Sequence, residues 1–302
     1  MRYFIAYPIA KNCNLRCYYC YHTEHFESNF EEKQRFTFKD YVRFRDTHLS
    51  DATEIIVHFH GGEPFLPGNS NTICSFIRST QMEKADLLTN GLQDRSNYEK
   101  LLPIKDRIHR VGFTFHRQII SGVKSYVQKY EDNVKWLHSQ GIPVYVKELM
   151  FPKLRDDILN YKRYWKSLGI PYKIQDFRGS DRGFSRDAYG DYTPLDILLV
   201  DSEYKHGGEY CSCMKGFKNI LIRGGWNSGD VLACFEDPKV VGCVQDNTYH
   251  PDYKVLRDTS LGRINVIGVP EKYKGTFDRD LRTPGVKEHF DGHISIGECR
   301  LD

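Results

Sequence analysis

A chain of 302 residues, 40% of them hydrophobic, is long enough to bury a sizeable core in one large domain, or in a main domain with a smaller appendage. Its 43 Lys and Arg against 40 Asp and Glu leave a net charge of +3, too small a basic excess to indicate a nucleic-acid partner. The N-terminus shows no signal-peptide pattern and no stretch approaches the roughly 20 apolar residues of a membrane span, which together predict a cytoplasmic protein with no membrane partner.

Taken in chain order, apolar alternation predicts strands over Tyr3 to Ala10, Glu54 to Phe59, Lys84 to Thr89, Arg110 to Phe115, Pro143 to Leu149 and Tyr172 to Asp176. Amphipathic stretches between them predict helices over Thr37 to His48, Ser70 to Thr80, Ser96 to Leu102, Ser121 to Gln140 and Leu154 to Leu168, with Gly141 and Gly169 as stops for the last two. Six β/α units of this kind predict a parallel α/β sheet. Working residues in such sheets gather on the loops beyond the C-terminal ends of the strands. A turn-rich segment after residue 177 marks a boundary between a 1–177 core and a 178–302 region. The latter reads as a helix at Leu195 to Tyr204 and a hairpin of Lys218 to Ile222 with Val231 to Phe235.

Nine cysteines in a reducing compartment point to metal or redox chemistry rather than disulfides. They fall into two groups, with Cys74 standing alone in a helix as a core residue. The first group, Cys13, Cys17 and Cys20, puts three thiolates on one loop after the first strand. Three such ligands can hold three irons of a 4Fe-4S cluster and leave the fourth iron open to a cofactor. The alternative is a structural zinc knuckle with His22 or His25 as fourth ligand.

The spacing of Cys13, Cys17 and Cys20, with the aromatic Tyr19 before the last cysteine, resembles the signature of the radical S-adenosylmethionine superfamily. That resemblance implies a partial (β/α)6 TIM-like barrel. It also implies a catalytic 4Fe-4S cluster whose open iron binds S-adenosylmethionine, which is reductively cleaved to a 5'-deoxyadenosyl radical that takes a hydrogen atom from substrate. A reductant such as flavodoxin or ferredoxin would supply the electron. Gly61-Gly62-Glu63-Pro64 after the second strand resembles the family's glycine-rich cofactor motif: glycine lets a backbone approach a ligand closely, and the glutamate can accept hydrogen bonds from a cationic amino group. Thr89-Asn90-Gly91 after the third strand is similar to a cofactor-contacting segment, although an ordinary strand-to-helix turn also explains it. Where many peptide-modifying relatives carry Ser-x-Asp after the fourth strand, this chain reads Thr114-Phe115-His116, making His116 a candidate cofactor contact or a loop histidine.

The second group is Cys211, Cys213, Cys234, Cys243 and Cys299. Its order, with Gly229 opening the segment that ends in Cys234, is similar to SPASM and twitch domains, which implies a small C-terminal cysteine-rich subdomain with one auxiliary 4Fe-4S cluster. Cys213, Cys234 and Cys243 are the favoured ligands, with Cys211 or Cys299 as the fourth. A four-cysteine zinc ribbon is the alternative. The leading expectation is modification of a ribosomally made peptide by crosslinking, epimerisation or oxidation. With the catalytic loop beginning by residue 13, a separate leader-peptide recognition protein is expected as a partner, or direct reading of the substrate. A small-molecule radical dehydrogenase or synthase is the second expectation, and a non-catalytic iron-sulfur or zinc protein the third.

Overall fold

The computed structural model describes residues 1–10, 12–15, 17, 36–149, 154–175, 218–222, 229–234 and 237–250. Within them lie ten strands: β1 Arg2–Ala10, β2 Glu54–Gly61, β3 Glu83–Thr89, β4 Ile108–Phe115, β5 Val144–Leu149, β6 Tyr172–Gln175, β7 Lys218–Ile222, β8 Asp230–Cys234, β9 Asp237–Cys243 and β10 Thr248–Tyr249. The helices are α1 Phe38–His48, α2 Pro67–Ser79, α3 Arg95–Glu99, α4 Arg117–Ile120, α5 Lys124–Ser139 and α6 Arg155–Ser167, with a 3-10 turn at Leu102–Arg107.

Local chemistry fixes several helix ends. Thr37 and Asp40 form a reciprocal capping box, Thr37 Oγ1 accepting from Asp40 N–H at 3.2 Å and Asp40 Oδ2 accepting from Thr37 N–H at 2.8 Å. Pro67 opens α2 where a missing N–H costs nothing. Gly141 and Gly169 follow α5 and α6 with φ of 77° and 73°, the left-handed turn that stops a helix. The helix expected from Ser121 starts at Lys124 instead, because α4 and Ser121-Gly122 intervene.

Strands β1 to β6 run parallel in sequence order, with register such as Ile5↔Val57, Val57↔Ala85, Leu87↔Val111, Val111↔Val144 and Val146↔Tyr172. The sheet buries one face under the helices, where Ile5, Val57, Leu87, Phe113 and Val146 meet Tyr41, Ile77, Tyr130, Leu137 and Trp165 in a single core. Each such side chain taken from water contributes about 1.5–3 kcal/mol. Phe4 and Ile56 form a small separate cluster, and so do Ala6, Leu221 and Leu232. His58 and Asp86 share the parity of Phe4 and Ile56 along their paired strands, and Arg110 stands beside Asp86. Asp86 is 2% exposed and accepts from His58 Nδ1–H at 2.8 Å and from Arg110 Nε–H at 2.6 Å. Burial pushes its carboxyl up, but the hydrogen bond and charge of His58 and then the Arg110 guanidinium outweigh that and hold it below the usual range.

The sheet does not end at β1. Strand β7 pairs with β1 in parallel, Ile5↔Ile220, and β8, β9 and β10 continue antiparallel, giving the order β10-β9-β8-β7-β1-β2-β3-β4-β5-β6. The expected hairpin is present as β7 and β8, but it extends the barrel sheet, and it carries two further strands that the sequence reading lacked. The expected 177/178 boundary and the Leu195 to Tyr204 helix lie outside the described residues. Among the described residues, no helix is long and apolar enough to cross a membrane.

Candidate functional site

Three loops meet at the C-terminal ends of β1, β2 and β3. The first carries Cys13, half-exposed, and Cys17, buried; Tyr19 and Cys20 lie outside the described residues. The second begins at Gly61, whose φ of 127° is open to glycine and hard for other residues. It continues through Gly62, Glu63 and Pro64 into the turn before α2. The third is Thr89-Asn90-Gly91, where Gly91 has φ of 78° and packs so tightly on the Tyr130 ring that no β-carbon fits.

Glu63 ties the loops together from inside. Its side chain is turned into the protein and the residue is 2% exposed. Oε1 accepts from Thr89 Oγ1–H at 2.7 Å and from Phe65 N–H at 3.0 Å, while Oε2 accepts from Asn90 N–H at 2.8 Å. Burial pushes the carboxyl up to about 7 against the three donors, which pull the other way. Asn69 closes the back of the same unit, its Nδ2 donating to Glu63 O at 2.7 Å and to Asn12 Oδ1 at 3.1 Å. Asn133 Nδ2 donates to the carbonyls of Gly91 and Gln93, both at 2.9 Å, and so holds the third loop to α5.

Polar groups surround the two described sulfurs of the first loop. Cys13 Sγ accepts from Leu15 N–H at 3.4 Å and faces Asn90 Nδ2 at 3.8 Å, while Asn90 Nδ2 also donates to Asn14 Oδ1 at 2.7 Å. Cys17 Sγ lies 3.7 Å from His116 Nδ1. His116 caps α4 just beyond β4, and desolvation, then the Lys147 ammonium, push its imidazole down to about 4. Two cysteine sulfurs of one loop, with the Leu15 N–H, the Asn90 amide and the His116 ring beside them, suit a bound iron-sulfur cluster, so the residues present fit that group. Cys74 is buried in α2 and donates to Lys100 O at 3.3 Å, as a core cysteine would.

Of the residues singled out from sequence, Cys13, Cys17, Gly61, Gly62, Glu63, Pro64, Thr89, Asn90 and His116 come together at this end of the sheet. Asn12, Asn14, Asn69 and Asn133 were not singled out; the first two flank Cys13, and an Asn-Cys-Asn run was the available signal. In the C-terminal group, Cys211, Cys213 and Cys299 lie outside the described residues. The β8–β9 register places Cys234 opposite Asp237 and Cys243 opposite Asp230, at the two ends of the ladder. Four residues of strand separate them, about 13 Å at ~3.3 Å per residue.

A family model described as the radical SAM superfamily matches residues 7–160. No curated protein sequence matches the chain. Among solved structures, it is similar to native anSMEcpe with bound AdoMet and Cp18Cys peptide, at 14% identity and a TM-score of 0.58, over 99% of this chain and 97% of that one. Similarity to hexahistidine-tagged anSMEcpe with bound AdoMet, at 17% identity and a TM-score of 0.56, covers 81% and 75%. Streptococcus suis SuiB bound to S-adenosylmethionine gives 14% identity and a TM-score of 0.51 over 77% of this chain and 60% of that chain. At these identities the likeness is one of fold.

Proposed function

Because this chain belongs to the radical SAM superfamily, we propose that it uses a 4Fe-4S cluster held by Cys13, Cys17 and Cys20 to cleave S-adenosylmethionine reductively and modify a ribosomally made peptide. The observation that carries the proposal is the single hydrogen-bonded unit made by the cysteine loop, Gly61–Pro64 and Thr89–Gly91, with Leu15 N–H and the Asn90 amide directed at the Cys13 sulfur. The cluster and its cofactor, when bound, supply a 5'-deoxyadenosyl radical for hydrogen abstraction. The protein's own part is binding and placement. Gly62 lets its backbone close on that of Asn12 in the cysteine loop, and Glu63, facing inward, fixes Thr89 and Asn90 from behind. Asn90 then holds the cysteine loop through Asn14, so a displacement of either loop moves the sulfurs.

Peptide modification is favoured by likeness in fold, along nearly the whole chain, to a protein solved with AdoMet and a peptide. A flavodoxin or ferredoxin is the proposed electron donor. An auxiliary 4Fe-4S cluster would draw its ligands from Cys213, Cys234 and Cys243, with Cys211 or Cys299 as the fourth.

Anaerobic reconstitution with iron and sulfide counting, followed by detection of 5'-deoxyadenosine from S-adenosylmethionine and dithionite, tests the reading in wild type and Cys17→Ala. About eight irons and cysteine-dependent 5'-deoxyadenosine are expected. About four irons with turnover would remove the auxiliary cluster. A fully loaded wild type that releases no 5'-deoxyadenosine would overturn the catalytic reading.

A further inference from the structure

His116 stands just beyond β4 at the N-cap of α4, and the structure places its ring beside a sulfur. Its carbonyl accepts from Ile119 N–H at 2.9 Å and Ile120 N–H at 2.8 Å, which fixes its backbone as the first turn of α4. Its ring nitrogen Nδ1 is 3.7 Å from Cys17 Sγ.

The next residue is held from the other side of the sheet. The Arg117 guanidinium donates through Nη2 to Glu148 Oε2 at 3.0 Å and through Nε to Glu148 Oε1, and it lies 5.1 Å over the Phe115 ring and 5.4 Å over that of Tyr161. Glu148, fully buried on β5, also accepts from the Tyr172 hydroxyl of β6. In the sheet, Phe115 pairs with Glu148 and Glu148 with Ile174, so this cluster spans β4, β5 and β6. A buried ion pair gives little net stability for its desolvation cost, and its best-attested return is a fixed geometry. Here what is fixed is the chain one residue from the imidazole that touches Cys17.

We propose that His116 donates its Nδ1–H to the Cys17 sulfur and thereby raises the reduction potential of the cluster, with Arg117, Glu148 and Tyr172 as the positioning residues that hold the imidazole in place. The inference rests on the cluster assigned above to Cys13, Cys17 and Cys20. An N–H donated to a coordinating sulfur withdraws electron density from it, which favours the reduced cluster. Cys13 is served by a backbone amide and a side-chain amide, whereas Cys17 receives a side-chain donor set by a separate buried cluster.

The test is a potentiometric EPR titration of the reconstituted protein without substrate. H116F keeps a ring and removes the donor, and H116N restores one. The expected result is a lower midpoint potential in H116F, read as a several-fold loss of reduced-cluster signal at the wild-type midpoint, with most of it recovered in H116N. H116L serves if H116F does not take up iron. The double substitution R117M/E148L removes both buried charges together and is expected to lower the midpoint as H116F does, with iron content unchanged. Equal midpoints in wild type and the donor-less variant overturn the inference and leave the cluster assignment standing. A wild type that binds no iron overturns both, and a wild-type midpoint in R117M/E148L overturns the anchoring role alone.

Discussion

Gly62 and Asn12 occupy space that only a glycine leaves: a β-carbon on Gly62 would overlap the Asn12 carbonyl oxygen, which accepts the Glu63 amide hydrogen at 2.8 Å. The obstacle is backbone, so no rotamer change relieves it. Gly62→Ala should therefore separate the glycine loop from the cysteine loop at a cost of about 1–3 kcal/mol, typical of overpacking. The expected phenotype is a folded protein with a lower Tm and several-fold weaker S-adenosylmethionine binding by calorimetry on the reconstituted enzyme. Wild-type affinity in G62A would separate the loop contact from cofactor binding.

Glu63 predicts a pH dependence of stability. Its carboxyl is raised in the folded protein from the ordinary range to about 7, so the folded state holds its proton more tightly than the unfolded one. The contribution is fully present below the unfolded value and is lost as pH rises through about 7, an effect of up to about 3 kcal/mol. Urea titrations of wild type and E63Q between pH 4.5 and 8 should show a downward slope in the wild type that is flatter in the variant. Parallel slopes would sink this reading.

Asp86 has the opposite sign. His58 and Arg110 hold its carboxyl low, so its contribution is present above the unfolded value of about 3.9 and is lost as pH falls through the lowered folded value. Asp86→Asn leaves the partly exposed Arg110 guanidinium without its carboxylate and should cost about 1–3 kcal/mol in equilibrium unfolding near neutral pH. A loss below about 1 kcal/mol would mean that water replaces the carboxylate.

Cys74 offers a control for the cysteine assignments. Buried in α2 with its thiol donating to Lys100 O, it has no part in the site. Cys74→Ala should lower Tm slightly and leave the iron count of the reconstituted protein unchanged; a loss of iron specific to this variant would reopen the ligand assignment.

The barrel strands were legible because each buries one face under helices, which leaves a period in sequence: Ile5, Val57, Leu87 and Val146 mark it in four of them. The loops were legible because glycines and cysteines are rare at such density. Strand β9 was not, since Asp237-Pro238 and Gly242 interrupt its apolar run, and its pairing comes from β8 rather than from its own pattern. The joining of β7 to β1 is likewise invisible locally, because it depends on an edge formed more than two hundred residues earlier. The inward turn of Glu63 was hidden for a different reason: a motif gives the order of its residues, while the direction of a carboxylate is set by the donors around it, here Thr89, Asn90 and Phe65.

Among β1 to β5, β1 comes first in the chain and gains its second neighbour last. Residues 54–61 cover one of its edges early, but the other waits for 218–222, after the whole of β2 to β6 has been made. Through that interval Tyr3 to Ala6 present an uncovered edge beside the loop that carries Cys13 and Cys17. An apolar strand edge is a template for any other chain with a strand to offer. Strand β7 thus does more than lengthen the sheet: it covers the edge through which a nascent or truncated barrel could join its neighbours.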